Sequence, residues 1–297
     1  MKKILIVGAT GFIGKKVADY LSQRNDIEVV RYARRPQQGY FCCVPGDRVW
    51  QTLIDDCAAI INCSGVGLAK IKKESVVNEA IARQLVESLP HVEGKKYRLL
   101  HLSTIKAFNA NNYTDAYSVD KQRAENVFFE HSDKLSGELL RIPAVFAEDD
   151  VNLAPLLNMA KKGKLPEIQE EICRWYCISN HDIAYYISYW LDRTDESTLK
   201  VSYLLSQHRY SVNDLIRVVN QYVHGKKYTP ARKKLVFVKL IYKMLAMKSF
   251  ISSGFRWNQF PAERFQDLFQ RDWKIEASEN IAIHYVDFSP ADIWKIK

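Results

Sequence analysis

The chain lacks any stretch of about 18 uninterrupted apolar residues, so no membrane-spanning helix is expected. It also lacks a disulfide framework. Its six cysteines stand at 42, 43, 57, 63, 173 and 177, and the adjacent Cys42 and Cys43 do not fit one. Cys173 and Cys177 have no His/Cys pair at zinc spacing beside them, so reduced thiols and no metal are expected. Internal repeats and low-complexity linkers are missing. Residues 225–256 contain no acid at all. They hold Lys226, Lys227, Arg232, Lys233, Lys234, Lys239, Lys243, Lys248 and Arg256, and these nine bases equal the whole net charge of +9. Either a polyanionic ligand or acidic surface lies nearby, or this is a solvated face. No nucleic-acid-binding module accompanies the charge, so nucleic acid is not expected as a partner.

What the chain does have begins at its start. Ile4-Leu5-Ile6-Val7 suits a buried strand and runs straight into Gly8-Ala9-Thr10-Gly11-Phe12-Ile13-Gly14. Met1-Lys2-Lys3-Ile4 opens like a leader, but the apolar run stops at Val7, so it is read as strand one of a cytoplasmic protein. Gly8 allows a sharp turn, Gly11 lets the backbone approach a phosphate, and Gly14 lets the following helix pack close to the strand. The helix N-terminus presents unpaired N–H groups and a positive dipole end. A dinucleotide fits this geometry best, with Gly8, Thr10, Gly11, Phe12, Ile13 and Gly14 as its contacts.

Strands and helices alternate through the first 150 residues or so. Strands are predicted at Glu28–Tyr32, Tyr40–Val44, Ala58–Cys63, Arg98–Leu102 and Gly137–Arg141, and helices at Val76–Leu89 and Tyr117–Glu130. Beyond Asp150 the pattern loosens, with helices predicted at Asn152–Lys162, Asp182–Leu191 and Val212–Val223 and a late strand at Val201–Leu205. This alternation predicts an α/β fold: a doubly wound parallel (Rossmann) sheet with a smaller, mainly helical C-terminal lobe. The expected division is a dinucleotide-binding domain over 1–151, rejoined by segments near 177–207, and a substrate lobe from 152–176 and 208–297.

Sites for NAD place an acid at the end of strand two, about 20 residues past the glycines, to bind the adenosine ribose. Here the stretch is Tyr32-Ala33-Arg34-Arg35-Pro36. The acid is missing and two arginines stand in its neighbourhood. A guanidinium binds a 2′-phosphate through a forked, charge-assisted contact. NADP(H) is therefore the expected cofactor, with NAD(H) as the alternative if both arginines are merely solvated.

Tyr117 and Lys121 are four apart in a predicted helix, which puts them on one face, one turn apart. A nearby ammonium favours the phenolate and brings a tyrosine's pKa from about 10 towards working pH. Such a tyrosine passes a proton to or from a carbonyl or alcohol oxygen. Ser103-Thr104 ends a predicted strand at the sheet edge where ligands bind, and a hydroxyl there can hold the same oxygen.

Taken together, Gly8 to Gly14, Gly46-Asp47, Asn78, His101-Leu102-Ser103-Thr104, Tyr117 with Lys121, and Leu140-Arg141-Ile142-Pro143 resemble the extended short-chain dehydrogenases/reductases. The closest branch is the NAD(P)-dependent epimerase/dehydratase family acting on nucleotide sugars. The resemblance covers at least residues 1–220, with weaker echoes at Asp272-Trp273-Lys274. It implies Tyr117 as proton donor or acceptor, Lys121 as ligand of the nicotinamide ribose, and Thr104 as the active-site hydroxyl, with Ser103 the close second and a substrate contact. It implies Asp47 near the adenine and Ser64 and Gly65 along the cofactor. Only 13 positions separate Thr104 from Tyr117, fewer than nucleotide-sugar enzymes of this kind usually have, so the substrate pocket is expected to differ.

On the substrate side the resemblance implies that Asn152 faces a nucleotide sugar and Arg174 its diphosphate; the plain alternatives are a helix cap and a surface ion pair. His181 and Asp182 find no third metal ligand, and Asp182 reads as a helix cap. Ser103-Thr104-Ile105-Lys106 resembles reductases of 4-keto-6-deoxy-hexosamine nucleotides in surface polysaccharide synthesis. The expected activity is hydride transfer from NADPH to the C4 carbonyl of such a sugar. A 4-epimerase holding NAD is the alternative within the fold, and a catalytically silent NADP-binding regulator the alternative outside it. A dehydratase would need acids beside Thr104, where Ile105 and Lys106 stand instead. Related enzymes often form homodimers. Lys233–Ser253 mixes bases with Leu235, Val236, Val238, Leu240, Ile241, Met244 and Leu245, which suits either peripheral contact with an anionic bilayer or a helix of the small lobe.

Overall fold

The computed structural model describes residues 1–67, 76–109, 116–148, 150, 153–170, 173–194, 197–236, 275 and 281–294. The chain divides into two compact units, one of 1–145, 178–205 and 277–286, the other of 146–177, 206–276 and 287–297.

The first unit is a seven-stranded sheet flanked by helices. In chain order it holds β1 (Lys2–Val7), α1 (Phe12–Leu21), β2 (Ile27–Tyr32), α2 (Arg48–Asp56), β3 (Ala59–Asn62), α3 (Val77–Glu87), β4 (Tyr97–Thr104), α4 (Ala116–Glu130) and β5 (Leu135–Ile142). Two short strands, β6 (Ala144–Phe146) and β8 (Cys177–Ser179), pair with each other, and α5 (Ala154–Lys161) and β7 (Glu167–Ile168) lie between them in sequence. Then come α6 (Asn180–Asp192), β9 (Leu199–Ser206), α7 (Val212–His224), β10 (Arg232–Lys233) and β11 (Ala282–Val286). The sheet order is β11-β9-β5-β4-β3-β1-β2, and every pair from β9 to β2 is parallel.

Period-two alternation sends side chains to opposite faces of each strand. Ile4, Ile6, Ile61, Leu100 and Leu102 pack on one face against Val17 and Leu21 of α1 and Ile183, Ile187 and Trp190 of α6. Leu5, Ile60, Leu99 and Leu139 pack on the other against Trp50 and Ile54 of α2, Leu85 and Val86 of α3, and Val127 and Phe128 of α4. β1 lies between β2 and β3, so the connections leaving it diverge there. That switch point opens a crevice at the carboxyl ends of the strands.

One local expectation changes, and several elements were not expected. Tyr40–Val44 is not a strand: only Phe41 bridges Tyr32, because Pro45-Gly46 ends the segment and the Cys43 carbonyl accepts from the Tyr32 hydroxyl at 3.0 Å. Helix α2 was not foreseen, although its signal is there: Asp47 caps it by accepting from Trp50 N–H at 2.7 Å, and Trp50, Leu53 and Ile54 form its buried stripe. Strand β11 was also missed, and it adds the outer position beside β9.

In the second unit α5 takes Leu153 at its N-cap; Asn152 lies outside the described residues. β7 and β10 pair in parallel, and Asn213 of α7 brackets Ile168 with both backbone bonds, at 2.8 and 2.9 Å. Buried Glu167 faces Arg217 and Arg232. Most of Lys233–Ser253, the segment weighed for membrane contact, lies outside the described residues, as does Asp272-Trp273-Lys274. Among the described residues no helix is long and apolar enough to cross a membrane.

Candidate functional site

The glycine turn is a cradle with no room for side chains. A Cβ on residue 14 would stand 2.2 Å from the Gly8 carbonyl oxygen, and one on residue 8 would stand 2.6 Å from the Ser64 backbone nitrogen. Gly11 is the N-cap of α1, and no side chain caps this helix and no acid occupies its first turn. The N-terminal N–H groups of α1 are thus left for an outside acceptor, the arrangement that receives phosphate. Thr10 and Phe12 are exposed and Ile13 is half-buried against the core. The cradle fits a dinucleotide diphosphate.

Ser64 and Gly65 follow β3. Ser64 donates its hydroxyl and its N–H to the Asn62 carboxamide oxygen. Gly65 has φ +149°, and a Cβ there would meet the Asn78 carboxamide oxygen at 2.8 Å and approach the Lys121 ammonium to 3.7 Å. The loop is held from below. Asn78 receives the Val66 N–H at 2.8 Å and donates to the Val66 carbonyl at 3.2 Å, while its own amide donates to buried Asp120 at 2.9 Å. Asp120, absent from the expected site residues, therefore positions the backbone beside Lys121.

Lys121 is buried on α4 and donates to the Leu102 carbonyl of β4 at 2.8 Å. Burial pushes its pKa down to about 8, against the opposing pull of Glu125 and Asp120. Burial in turn pushes the Cys63 thiol up to about 12, so it stays protonated. His101, also buried, is held well below the usual histidine pKa by burial and then by Lys121, and packs its ring 4.7 Å from Phe128. Tyr117 is half-buried in the first turn of α4, one turn before Lys121. Thr104 is the last residue of β4, and its hydroxyl oxygen accepts the Lys106 N–H at 3.4 Å. A short 3-10 helix over Ile105–Asn109 follows, and residues 110–115 of the short loop lie outside the described residues.

Two expected contacts have partners within the protein. Ser103 faces away from Thr104 by strand alternation, and its hydroxyl donates to buried Glu125 rather than standing free for a substrate. The Asp47 carboxylate caps α2, accepting from Val44 N–H as well as Trp50 N–H. Asp182 forms a capping box with Ser179 at the start of α6. Arg174 lies exposed in the second unit, just before Trp175.

Both arginines after β2 are exposed. Arg34 lines a cavity of about 680 Å³ with Pro45, Gly46, Val77 and Arg83, and Arg35 is not among its lining residues. The volume lies within the range of small-molecule sites, roughly 300–1,000 Å³. Its wall carries both signs, Arg34 and Arg83 with Glu87, and Arg34 brings a guanidinium to it from just after β2. Arg83 was not among the expected residues; it is paired with Glu79 at 3.2 Å across one turn of α3.

Residues 4–137 match the model of the NAD dependent epimerase/dehydratase family. No curated protein matches the chain. Among solved structures, a UDP-N-acetylglucosamine 4-epimerase from Bacillus cereus is 14% identical with a TM-score of 0.61, over 79% of this chain and 86% of that one. A UDP-glucuronic acid 4-epimerase from Bacillus cereus, in complex with UDP-glucuronic acid and NAD, is 16% identical with a TM-score of 0.61, over 78% and 86%. A human epimerase family protein with NADPH is 14% identical with a TM-score of 0.60, over 80% and 85%. At these identities the likeness shows the fold, the Rossmann-like α/β architecture described above.

Proposed function

We propose that this chain is an NADP(H)-dependent oxidoreductase of the epimerase/dehydratase family that reduces the 4-keto group of a nucleotide-linked keto-deoxy sugar. The observation that carries the reading is the anchored lysine. Lys121 is fixed to the Leu102 carbonyl at 2.8 Å, next to Gly65 and one turn from Tyr117. Nothing about packing requires an ammonium there, and burying one costs free energy. The family match over 4–137 and the glycine cradle support the same reading.

Residues at the cradle, Gly8 to Gly14, would hold the diphosphate, Ser64, Gly65 and Lys121 the nicotinamide end, and Arg34, with Arg35 nearby, a 2′-phosphate. When bound, NADPH supplies the hydride. Tyr117 then gives its phenolic proton to the sugar oxygen as the carbonyl becomes an alcohol. Lys121 keeps a positive charge one turn away, which favours the phenolate left behind. Thr104 holds the same oxygen by a hydrogen bond, and solvent returns the proton to Tyr117. Asn152 and Arg174 are assigned to the nucleotide and its diphosphate.

A second reading, a 4-epimerase that keeps NAD and re-reduces its own keto intermediate, is favoured by the likeness to the two Bacillus cereus epimerases. Arg34 at the cavity wall favours NADP over it. The test is incubation with NADPH and a panel of nucleotide 4-keto-6-deoxy sugars, following NADPH absorbance and product identity. Stoichiometric NADPH loss with one alcohol formed is the expected result. NAD that co-purifies with the protein, together with turnover without net redox change, would replace the reductase by the epimerase. NADPH binding with no turnover of either kind would favour a regulatory role.

A further inference from the structure

We propose that Glu125 is a positioning residue of this site: its buried carboxylate ties the end of β4, which carries Thr104, to the helix that carries Tyr117 and Lys121. The inference rests on the reading of the site given above.

Tyr117, Lys121 and Glu125 recur every four residues along α4 and so share one face. Lys121 binds the Leu102 carbonyl, and Glu125 receives the Ser103 hydroxyl. The helix is thus fastened to β4 at two consecutive residues, and the next residue is Thr104. The grip on Ser103 is itself fixed from the side. Ser103, Arg141 and Tyr203 stand in register across β4, β5 and β9. Arg141 forks onto Glu125, Nε to Oε1 at 3.0 Å and Nη2 to Oε2 at 2.6 Å, and donates through Nη1 to the Tyr203 hydroxyl at 3.0 Å. All four side chains are buried.

A buried ion pair is a poor way to gain stability, because desolvation of both charges offsets their attraction. Its directional bonds do set geometry: bidentate contacts restrict both partners in angle and distance. Here that restriction acts on the residue beside Thr104. Glu125 also bears on the charge of Lys121. The titratable groups facing that ammonium are Asp120 and Glu125 from α4, Cys63 after β3 and His101 from β4. The two carboxylates favour the charged form.

The test uses Ser103→Ala, which cuts the link and leaves the ion pair, and Glu125→Gln/Arg141→Met, which removes both charges without leaving either alone. Ser103→Ala is expected to lower kcat by about tenfold or more, up to the roughly 100-fold that a 1 Å misplacement of reacting groups can cost. KM and NADPH affinity should stay within about twofold. The double variant is expected to move the alkaline limb of the kcat–pH profile to lower pH, since Glu125 exerts the larger pull of the two α4 carboxylates on Lys121. NMR of lysine labelled at Cε, with Lys121 assigned through Lys121→Arg, should show the same movement of its midpoint in the protein without cofactor. Folded variants with wild-type kcat and an unmoved limb would overturn the proposal, as would losses confined to KM or melting temperature. If wild type reduces no sugar, the reductase reading fails by itself, and the Lys121 midpoint then decides this inference: unmoved, it is wrong.

Discussion

Asp120 receives two bonds from one residue: both the backbone N–H and the side-chain amide of Asn78 meet its Oδ2 at 2.9 Å. Its Oδ1 takes the Glu79 N–H at 3.1 Å, so a carboxylate from α4 caps the start of α3 in place of a local cap. Asn78 in turn holds the loop that carries Gly65. Two helices and the loop after β3 meet at one fully buried acid.

Asp120→Ala leaves three N–H donors without their acceptor in a buried place. The expected loss is about 3–5 kcal/mol, the upper range for a broken buried network. Equilibrium urea unfolding measures it. A loss under about 1 kcal/mol would mean that this acid holds nothing together.

Gly14→Ala puts a methyl group 2.2 Å from a backbone oxygen, so α1 must retreat from β1. NADPH affinity should fall at least about tenfold, which is about 1.4 kcal/mol. A fluorescence titration reads this, and the ligand-induced rise in melting temperature should shrink with it.

Arg34→Glu reverses the charge at the cavity wall. A charge-assisted contact to a phosphate contributes roughly 1.5–3 kcal/mol. The ratio of kcat/KM for NADPH to that for NADH should therefore drop by about 10- to 150-fold, with most of the change on the NADPH side. An unchanged ratio would remove Arg34 from cofactor selection.

Tyr117→Phe should lower turnover by about 100-fold or more, the usual contribution of a general acid, while NADPH affinity stays within about twofold. Stopped-flow single-turnover measurements separate the proton step from product release. Equal loss of cofactor binding would point to a packing role for the ring.

The buried lysine also predicts a pH dependence of stability. In the unfolded chain Lys121 titrates near 10.5, in the folded protein near 8. Between those values the unfolded chain binds more protons, so stability rises with pH there. The cost of the buried charge is full below pH 8, about 3 kcal/mol by this difference, and fades as pH rises towards 10.5. Raised thiols such as Cys57, pushed by burial to about 12, act in the opposite direction above about pH 9. The comparison with Lys121→Met isolates the lysine: wild type should gain on the variant as pH rises from 8 to 10.5. A constant gap in urea unfolding across that range would refute it.

Local patterns were enough for several of these features. Ile4 to Gly14 reads as a strand, a turn and a helix start because buried strands are continuous runs and the turn needs residues without a Cβ. The Tyr117–Lys121 pair follows from helical spacing alone. The strand proposed at 40–44 failed because a local apolar run does not say whether the neighbouring edge will accept it; only Phe41 pairs with β2. β11 was missed for the converse reason, since its place beside β9 is set by a partner about 80 residues earlier.

The sequence by itself determined the alternation β1, α1, β2 and then β3, α3, β4, α4 and β5, the glycine turn after β1 and the absence of an acid after β2. These depend on residues close together in the chain, where backbone geometry and spacing decide the outcome. The tertiary structure decided which hydroxyl is claimed by a buried acid: Ser103 and Thr104 are buried neighbours, but Glu125 takes only the first. It also placed Asp120 under Asn78 and Lys121 under Gly65. Such pairings join residues dozens of positions apart. They are set by which elements the sheet brings side by side, and by the demand that every buried charge find a partner.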